Sequence, residues 1–230
     1  MKFQGNAFLQ TVVIMFGLAA LGQTGRANDI SGLYVGGNLG LARIDYDNAL
    51  YQDQLESQVA GLGNLDLTSA YLHKRNTAWW VDAGYMASPY VGIEAAYLHF
   101  GALSNRVSGK FTQTGGTPEA VTLATSLGSD GPALGLVFRL PLTDSFAVNL
   151  RLADYYGRTT LINTLDATKH TSTRETANSS SLLAALGAAY TFGGHWSAHL
   201  DYLRVNQAGN DSNVVKYDID MACVGLSYTF

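Results

Sequence analysis

Along most of this chain, bulky apolar residues alternate with small or polar ones. Near the C-terminus, Val224, Leu226, Tyr228 and Phe230 share one face of an extended segment, and Cys223, Gly225, Ser227 and Thr229 share the other. Further upstream, Trp196, Ala198, Leu200 and Tyr202 oppose Ser197, His199 and Asp201, and Phe146, Val148, Leu150 and Leu152 oppose Asn149 and Arg151. Leu33, Val35, Leu39 and Leu41 likewise alternate with Tyr34, Gly36, Asn38 and Gly40. This period of two predicts eight strands, over 32–43, 77–86, 90–100, 133–140, 146–157, 182–192, 196–205 and 217–230. Pro132 cannot donate to a ladder, so the fourth strand is predicted to begin after it. The segment 121–127 reads either as an extension of that hairpin or as loop.

The connections alternate in length. Ala87-Ser88-Pro89, Leu142-Thr143-Asp144-Ser145 and Gly193-Gly194-His195 are tight turns, separated by long polar segments near 44–76, 101–120, 158–181 and 206–216. A water-soluble barrel would bury the bulky face and show charge outside. Here the opposite face is rich in Gly, Ala, Ser and Asn, which suits a narrow interior. The prediction is therefore all-β: a closed antiparallel eight-stranded transmembrane β-barrel, an up-and-down meander with short periplasmic turns and long extracellular loops. Tyr85, Tyr90, Phe146, Phe192, Trp196, Tyr228 and Phe230 are expected to form an aromatic girdle near the short turns, and Trp79, Tyr97, Tyr156 and Tyr202 the opposite one.

Composition agrees with a surface facing lipid. Charged residues make up 14% of the chain, against about 25% in a typical soluble domain. Beyond residue 27 no segment approaches the ~18 apolar residues of a spanning helix, and only helices and closed barrels satisfy every backbone group in hydrocarbon. Lys2, the apolar run Ala7 to Leu21 and Gly25-Arg26-Ala27 read as a secretory signal peptide over 1–27, leaving 28–230 as one barrel domain. Removing it takes away two cations and no acid, so the net charge falls from −4 to −6, which excludes a nucleic-acid partner. The single cysteine, Cys223, excludes an internal disulfide and reads as a small packed residue.

Asp82, Glu94, Arg139, Arg151, His199 and Asp201 all fall on the inward face. Glu94 and Arg151 sit near mid-depth, so they are expected to form an ionic plug with the others, either as a structural filler or as a gate for small ions. The acids Asp45, Asp47, Asp53, Glu56 and Asp66 crowd the first long segment but lack the fixed spacing of a calcium loop. Gly36-Gly37-Asn38-Leu39-Gly40 lies within a strand, where glycines relieve crowding and do not cradle phosphate. His170 and Ser172, and His195 and Ser197, have the spacing of a base and a nucleophile. Neither pair has an evident orienting acid, and the second borders a periplasmic turn. No catalytic, metal or cofactor site is expected.

Leu33-Tyr34-Val35-Gly36-Gly37, the run Gly84-Tyr85 to Pro89-Tyr90-Val91-Gly92-Ile93-Glu94, and the closing Gly225, Tyr228, Thr229 and Phe230 together resemble the OmpA-like family of eight-stranded outer-membrane barrels. The resemblance implies that the barrel-assembly machinery reads Gly225, Tyr228 and Phe230 as a terminal signal; Cys223 stands where the family pattern has a polar residue. Larger members carry a peptidoglycan-binding domain after the barrel. This chain ends at the barrel, so that activity is not implied. The expectation is a monomeric, non-catalytic protein of a Gram-negative outer membrane, embedded in lipid and lipopolysaccharide, that anchors surface loops for an extracellular ligand the sequence does not name. A narrow porin-like pore and a lipid A-modifying enzyme are the alternatives.

Overall fold

A strand with one greasy and one small face can satisfy its backbone in lipid only when the sheet closes on itself, and this sheet does. The computed structural model describes residues 32–45, 63–72, 75–113, 117, 119–166, 170–210 and 214–230. The proposed signal peptide and the acids Asp47, Asp53 and Glu56 lie outside them. Nine strands are described: β1 (Gly32–Asp45), β2 (Gly63–Leu72), β3 (Arg75–Met86), β4 (Val91–Gln113), β5 (Glu119–Pro141), β6 (Phe146–Asp166), β7 (His170–Phe192), β8 (Trp196–Asn210) and β9 (Val214–Thr229). Eight form the closed antiparallel wall, in the order β1, β3, β4, β5, β6, β7, β8, β9 and back to β1. The ninth, β2, pairs with the outer half of β4.

The register fixes the shape. Stepping from partner to partner leads from Arg43 through Asp220, Arg204, Ala184, Leu152, Leu136, Ile93 and Tyr85 to Leu33, ten residues from the start. Eight strands with that stagger tilt by about 40° and enclose a space that side chains can fill. The three tight turns fall at 87–90, 142–145 and 193–195, as the pattern predicted.

Three expectations need correction. The polar segments near 101–120, 158–181 and 206–216 are largely strand, so β4, β5 and β7 each reach 23 residues where about 10 cross a membrane. Thr- and Ser-rich extensions keep β geometry in water without an apolar alternation, which is why the hydrophobic period missed them. Pro132 lies inside β5, facing outward: it pairs with Tyr97 on β4, while the β6 ladder passes from Asp130 to Ala133. The outer half of the lumen is not lined by small or polar residues but filled by apolar ones, as set out below.

Above the closed wall, β8 pairs with β7 only over Leu183–Phe192, and the stretch 170–182 of β7 pairs with β6 alone. A sheet ordered β2, β4, β5, β6, β7 therefore projects beyond the barrel, with no strand laddered to either outer edge among the described residues; at the base of the β7 edge Gly209 N donates to Ser179 Oγ and Ser181 Oγ donates to the Gln207 carbonyl. The β3–β4 ladder ends at His99, and just beyond it Gly101, at φ 71°, makes a bulge that turns β4 into the projecting part.

Candidate functional site: the lumen and its two layers

Burial alternates strictly along β3, with Ala78, Trp80, Asp82, Gly84 and Met86 inward and Trp79, Val81 and Tyr85 outward. The girdle residues Tyr85, Phe146, Phe192, Trp196, Tyr202 and Phe230 are exposed on the outer wall, while Tyr228 is half-buried between His195 and Trp196. Leu39, Leu134, Leu200 and Val224, each more than 60% exposed, complete an apolar belt.

The stagger amounts to a little over one residue per strand. Allowing for it, Asn38, Asp82, Glu94, Arg151 and Asp201 stand at one level of the lumen, near mid-membrane. Arg151 donates from Nη1 to Asp201 Oδ1 at 2.6 Å and from Nε to Glu94 Oε2 at 3.3 Å. Its guanidinium carbon lies 5.8 Å from the Trp80 ring centroid. Tyr34 donates to the same Glu94 oxygen at 2.7 Å. Asp82 Oδ1 accepts from Asn38 Nδ2 at 3.0 Å and from Trp80 Nε1 at 2.9 Å. The wall makes room for these reaches with glycine: a Cβ on Gly84 would strike the Tyr34 ring, and one on Gly187 would strike the Asp201 carboxylate.

Arg139 and His199 lie nearer the short turns. Arg139 donates to Thr191 at 3.1 Å and has no carboxylate within 4 Å among the described residues. Thr191 is 3.0 Å from Ser197, and His199 Nε2 is 2.7 Å from Ser227 Oγ. The charge network is thus narrower than the sequence suggested: Arg151, Glu94 and Asp201 are directly ion-paired, Asp82 is held by neutral donors, and Arg139 and His199 belong to a hydroxyl layer beneath. The period-2 pattern placed all six inward, and Tyr34 and Asn38 with them, but did not show that Tyr34, Asn38 and Trp80 partner the carboxylates, because partner choice depends on cross-strand register.

Beyond the ionic level the lumen turns apolar. Leu98, Phe100, Tyr155, Leu203, Val205, Ile219 and Met221 are less than 2% exposed and pack as one cluster. Phe100 and Tyr155 meet edge to face at 5.6 Å. Above them Tyr155 bonds Ser129 at 2.9 Å and Tyr217 bonds Thr159 at 2.8 Å. A cavity of about 20 Å³ remains where Glu94 and Arg151 meet the apolar plug.

The other sequence candidates do not assemble. His195 lies in the turn, with Nδ1 2.8 Å from the Thr229 carbonyl and its ring stacked on Tyr228, while Ser197 points into the lumen. Ser172 is exposed on the projecting part of β7, whereas the side chains of His170, Asp45 and Asp66 fall outside what the structure describes. Cys223 is buried, with Sγ 3.5 Å from the Asp201 carbonyl. Among the described residues no group of three acidic, His or Cys side chains is arranged to hold a metal ion.

A closed eight-stranded wall, a girdled outer face and a charged lumen coincide with one sequence family, whose OmpA-like transmembrane domain matches residues 27–230. The chain belongs to that OmpA-like family. No curated protein matches it by sequence. Among solved structures it is similar to Ail, the attachment invasion locus protein of Yersinia pestis, at a TM-score of 0.50 and 11% identity, over 87% of this chain and 99% of that one. OprG of Pseudomonas aeruginosa gives a TM-score of 0.43 and 14% identity over 89% and 99%, and neisserial surface protein A gives 0.45 and 11% over 87% and 98%. At such identities the Ail likeness speaks for the fold, and family and fold together place this OmpA-like barrel in the outer membrane.

Proposed function

We propose that this OmpA-like barrel is a non-catalytic surface anchor, monomeric in the membrane, that holds an open-edged sheet above the outer leaflet for contact with an extracellular protein or cell surface. The observation that carries the reading is the projection of β4, β5, β6 and β7 beyond the closed wall, flanked by β2 and by the stretch 170–178 of β7, along which the described residues pair no second strand. Unpaired edges offer backbone donors and acceptors to an extended segment of a partner. In this reading the surface is presented by a projecting sheet as well as by the loops the sequence suggested. Lipopolysaccharide is the surrounding partner in this reading, and the barrel-assembly machinery is the transient one, reading Gly225, Tyr228 and Phe230. The absence of catalysis is supported by the separate partners of His195 and Ser197.

The pore reading is weakened by the apolar cluster around Phe100, which interrupts any polar path through the lumen. The test is a variant in which 107–123 is replaced by a two-residue turn after the paired residues Arg106 and Ala124. Cells carrying it are expected to retain a heat-modifiable folded barrel on gels while losing adhesion to host cells or matrix. Undiminished adhesion, or liposome swelling by the wild-type barrel, would remove the anchor reading.

A further inference from the structure

We propose that the outer wall, along the seam of β6 and β7, holds one molecule of a phosphorylated glycolipid with hydroxylated or amide-linked acyl chains, the class to which the lipid A anchor of lipopolysaccharide belongs. The proposal rests on the anchor reading, in which lipopolysaccharide surrounds the barrel, and turns that surrounding into a defined contact. An open groove of about 270 Å³ runs along the seam, with Leu134, Asp154, Ser180 and Leu182 exposed along it and Leu152 half-buried. Asp154 lies three residues beyond Arg151 on β6 and one outward position short of Tyr156, so it stands in the outer half of the apolar belt. Its ladder partners on both sides, Leu134 and Leu182, are apolar and face lipid.

The groove is polar at one end only. Towards the surface Ser180 donates to Asp154 Oδ1 at 2.5 Å, while Leu134 and Leu152 line the end nearer mid-membrane. One hydroxyl fills a small share of a carboxylate's acceptor capacity, and hydrocarbon tails supply no donor for the rest. A glycerophospholipid brings ester oxygens to that depth, and these only accept. A lipid whose chains are amide-linked or hydroxylated near the head brings N–H and O–H donors there, so the Asp154 carboxylate selects it over its neighbours in the membrane.

A second feature fits the head of the same lipid. Arg158 is exposed on the same face of β6, four residues or about 13 Å beyond Asp154, with the exposed Asn178 directly opposite on β7. Among the described residues Arg158 makes no ion pair: its cross-strand neighbour on β5, Asp130, accepts instead from Tyr97 at 2.6 Å. A guanidinium just outside the girdle is placed to take two oxygens of a phosphate. Between it and Asp154 the exposed Tyr156 ring offers a face to a sugar. From mid-membrane outward the wall therefore presents apolar side chains, an acceptor, an aromatic ring and a cation. Such a lipid carries its chains, donors, sugar and phosphate in that same order.

The experiment uses the complete folded barrel in zwitterionic micelles. It is titrated with bisphosphorylated lipid A, with the dephosphorylated form and with phosphatidylglycerol, and the lipid retained is counted by native mass spectrometry. One lipid A per barrel is expected to survive where phosphatidylglycerol is stripped. Arg158→Gln weakens the bisphosphorylated lipid about ten-fold and leaves the dephosphorylated one unchanged, whereas Asp154→Leu weakens both about ten-fold. In phosphatidylcholine vesicles Asp154→Leu raises the urea midpoint, because a charge leaves the apolar belt, and adding lipid A then stabilises the wild type but not the variant. Equal retention of phosphatidylglycerol, equal binding by wild type and variants, or barrel dimers through this face in place of lipid would overturn the site. Should Asp154→Leu fail to fold, Arg158→Gln with the two lipid A forms still decides. Adhesion of the wild-type barrel is scored apart: adhesion without lipid A retention sinks the site alone, and retention without adhesion sinks the anchor reading alone.

Discussion

Truncating Arg151 is the sharpest perturbation the lumen offers, because an outer-wall counterpart with the same contact distance serves as its control. Arg151→Ala leaves Glu94 and Asp201 facing each other without their shared cation, and removes the cation that faces Trp80. Removing one partner of a buried ion pair costs about 3–5 kcal/mol. Two carboxylates are orphaned here, but Tyr34 still donates to Glu94, so about 4 kcal/mol is expected, roughly a thousand-fold in the unfolding equilibrium. Arg204 reaches Asp218 at 2.6 Å and Asp220 at 3.4 Å, yet its side chain is 45% exposed. Water and salt screen that triad, so Arg204→Ala should cost no more than about 1 kcal/mol. Urea unfolding in lipid vesicles, followed by tryptophan fluorescence, reads both. A neutral triple variant, Arg151→Met with Glu94→Gln and Asp201→Asn, should recover most of the loss, since the penalty lies in unpaired charge and not in missing attraction. Equal losses for Arg151→Ala and Arg204→Ala would refute the claim that burial, and not distance, sets the strength of the lumen network.

Other consequences can be checked on the same material. Cys223 should resist a charged maleimide in the folded barrel from both sides and react on unfolding in urea; rapid labelling of the native state would mean that the lumen is open. Gly187→Ala drives a Cβ into the Asp201 side chain and the Leu200 carbonyl, so it should lower stability by about 1–3 kcal/mol, measured by the urea midpoint. Tyr228→Ala removes ring contacts to His195 at 5.5 Å, Trp196 at 5.0 Å and Phe230 at 5.2 Å. At about 0.5–1.5 kcal/mol each, these should make the β8–β9 hairpin the first to lose amide protection in hydrogen exchange, and unchanged protection there would count against a structural role for the girdle.

The alternation of residues such as Leu200 with Asp201 was enough to set the strands, the lipid-facing side and the three tight turns, because a period of two leaves each side chain only two directions. It also placed Glu94, Arg151 and Asp201 inward. It could not show which of the six inward charges touch. Glu94 and Arg151 are 57 residues apart in sequence, and their contact depends on the ten-residue stagger, which no single strand records. Gly84 and Gly187 carried a faint sign of it, each marking where a larger side chain on the neighbouring strand crosses the wall.

The sequence by itself determined that this chain closes a barrel in lipid, since an apolar face on every strand and the obligation to pair every backbone group leave no other solution. Tertiary structure alone decided what the barrel contains and what stands on it. Inward residues such as Phe100, Ile219 and Met221 read as unremarkable β positions until closure gathers them into a plug. The polar stretches read as loops until neighbouring strands supplied partners for their backbones, because a solvated ladder is stabilised by pairing and leaves no hydrophobic period behind.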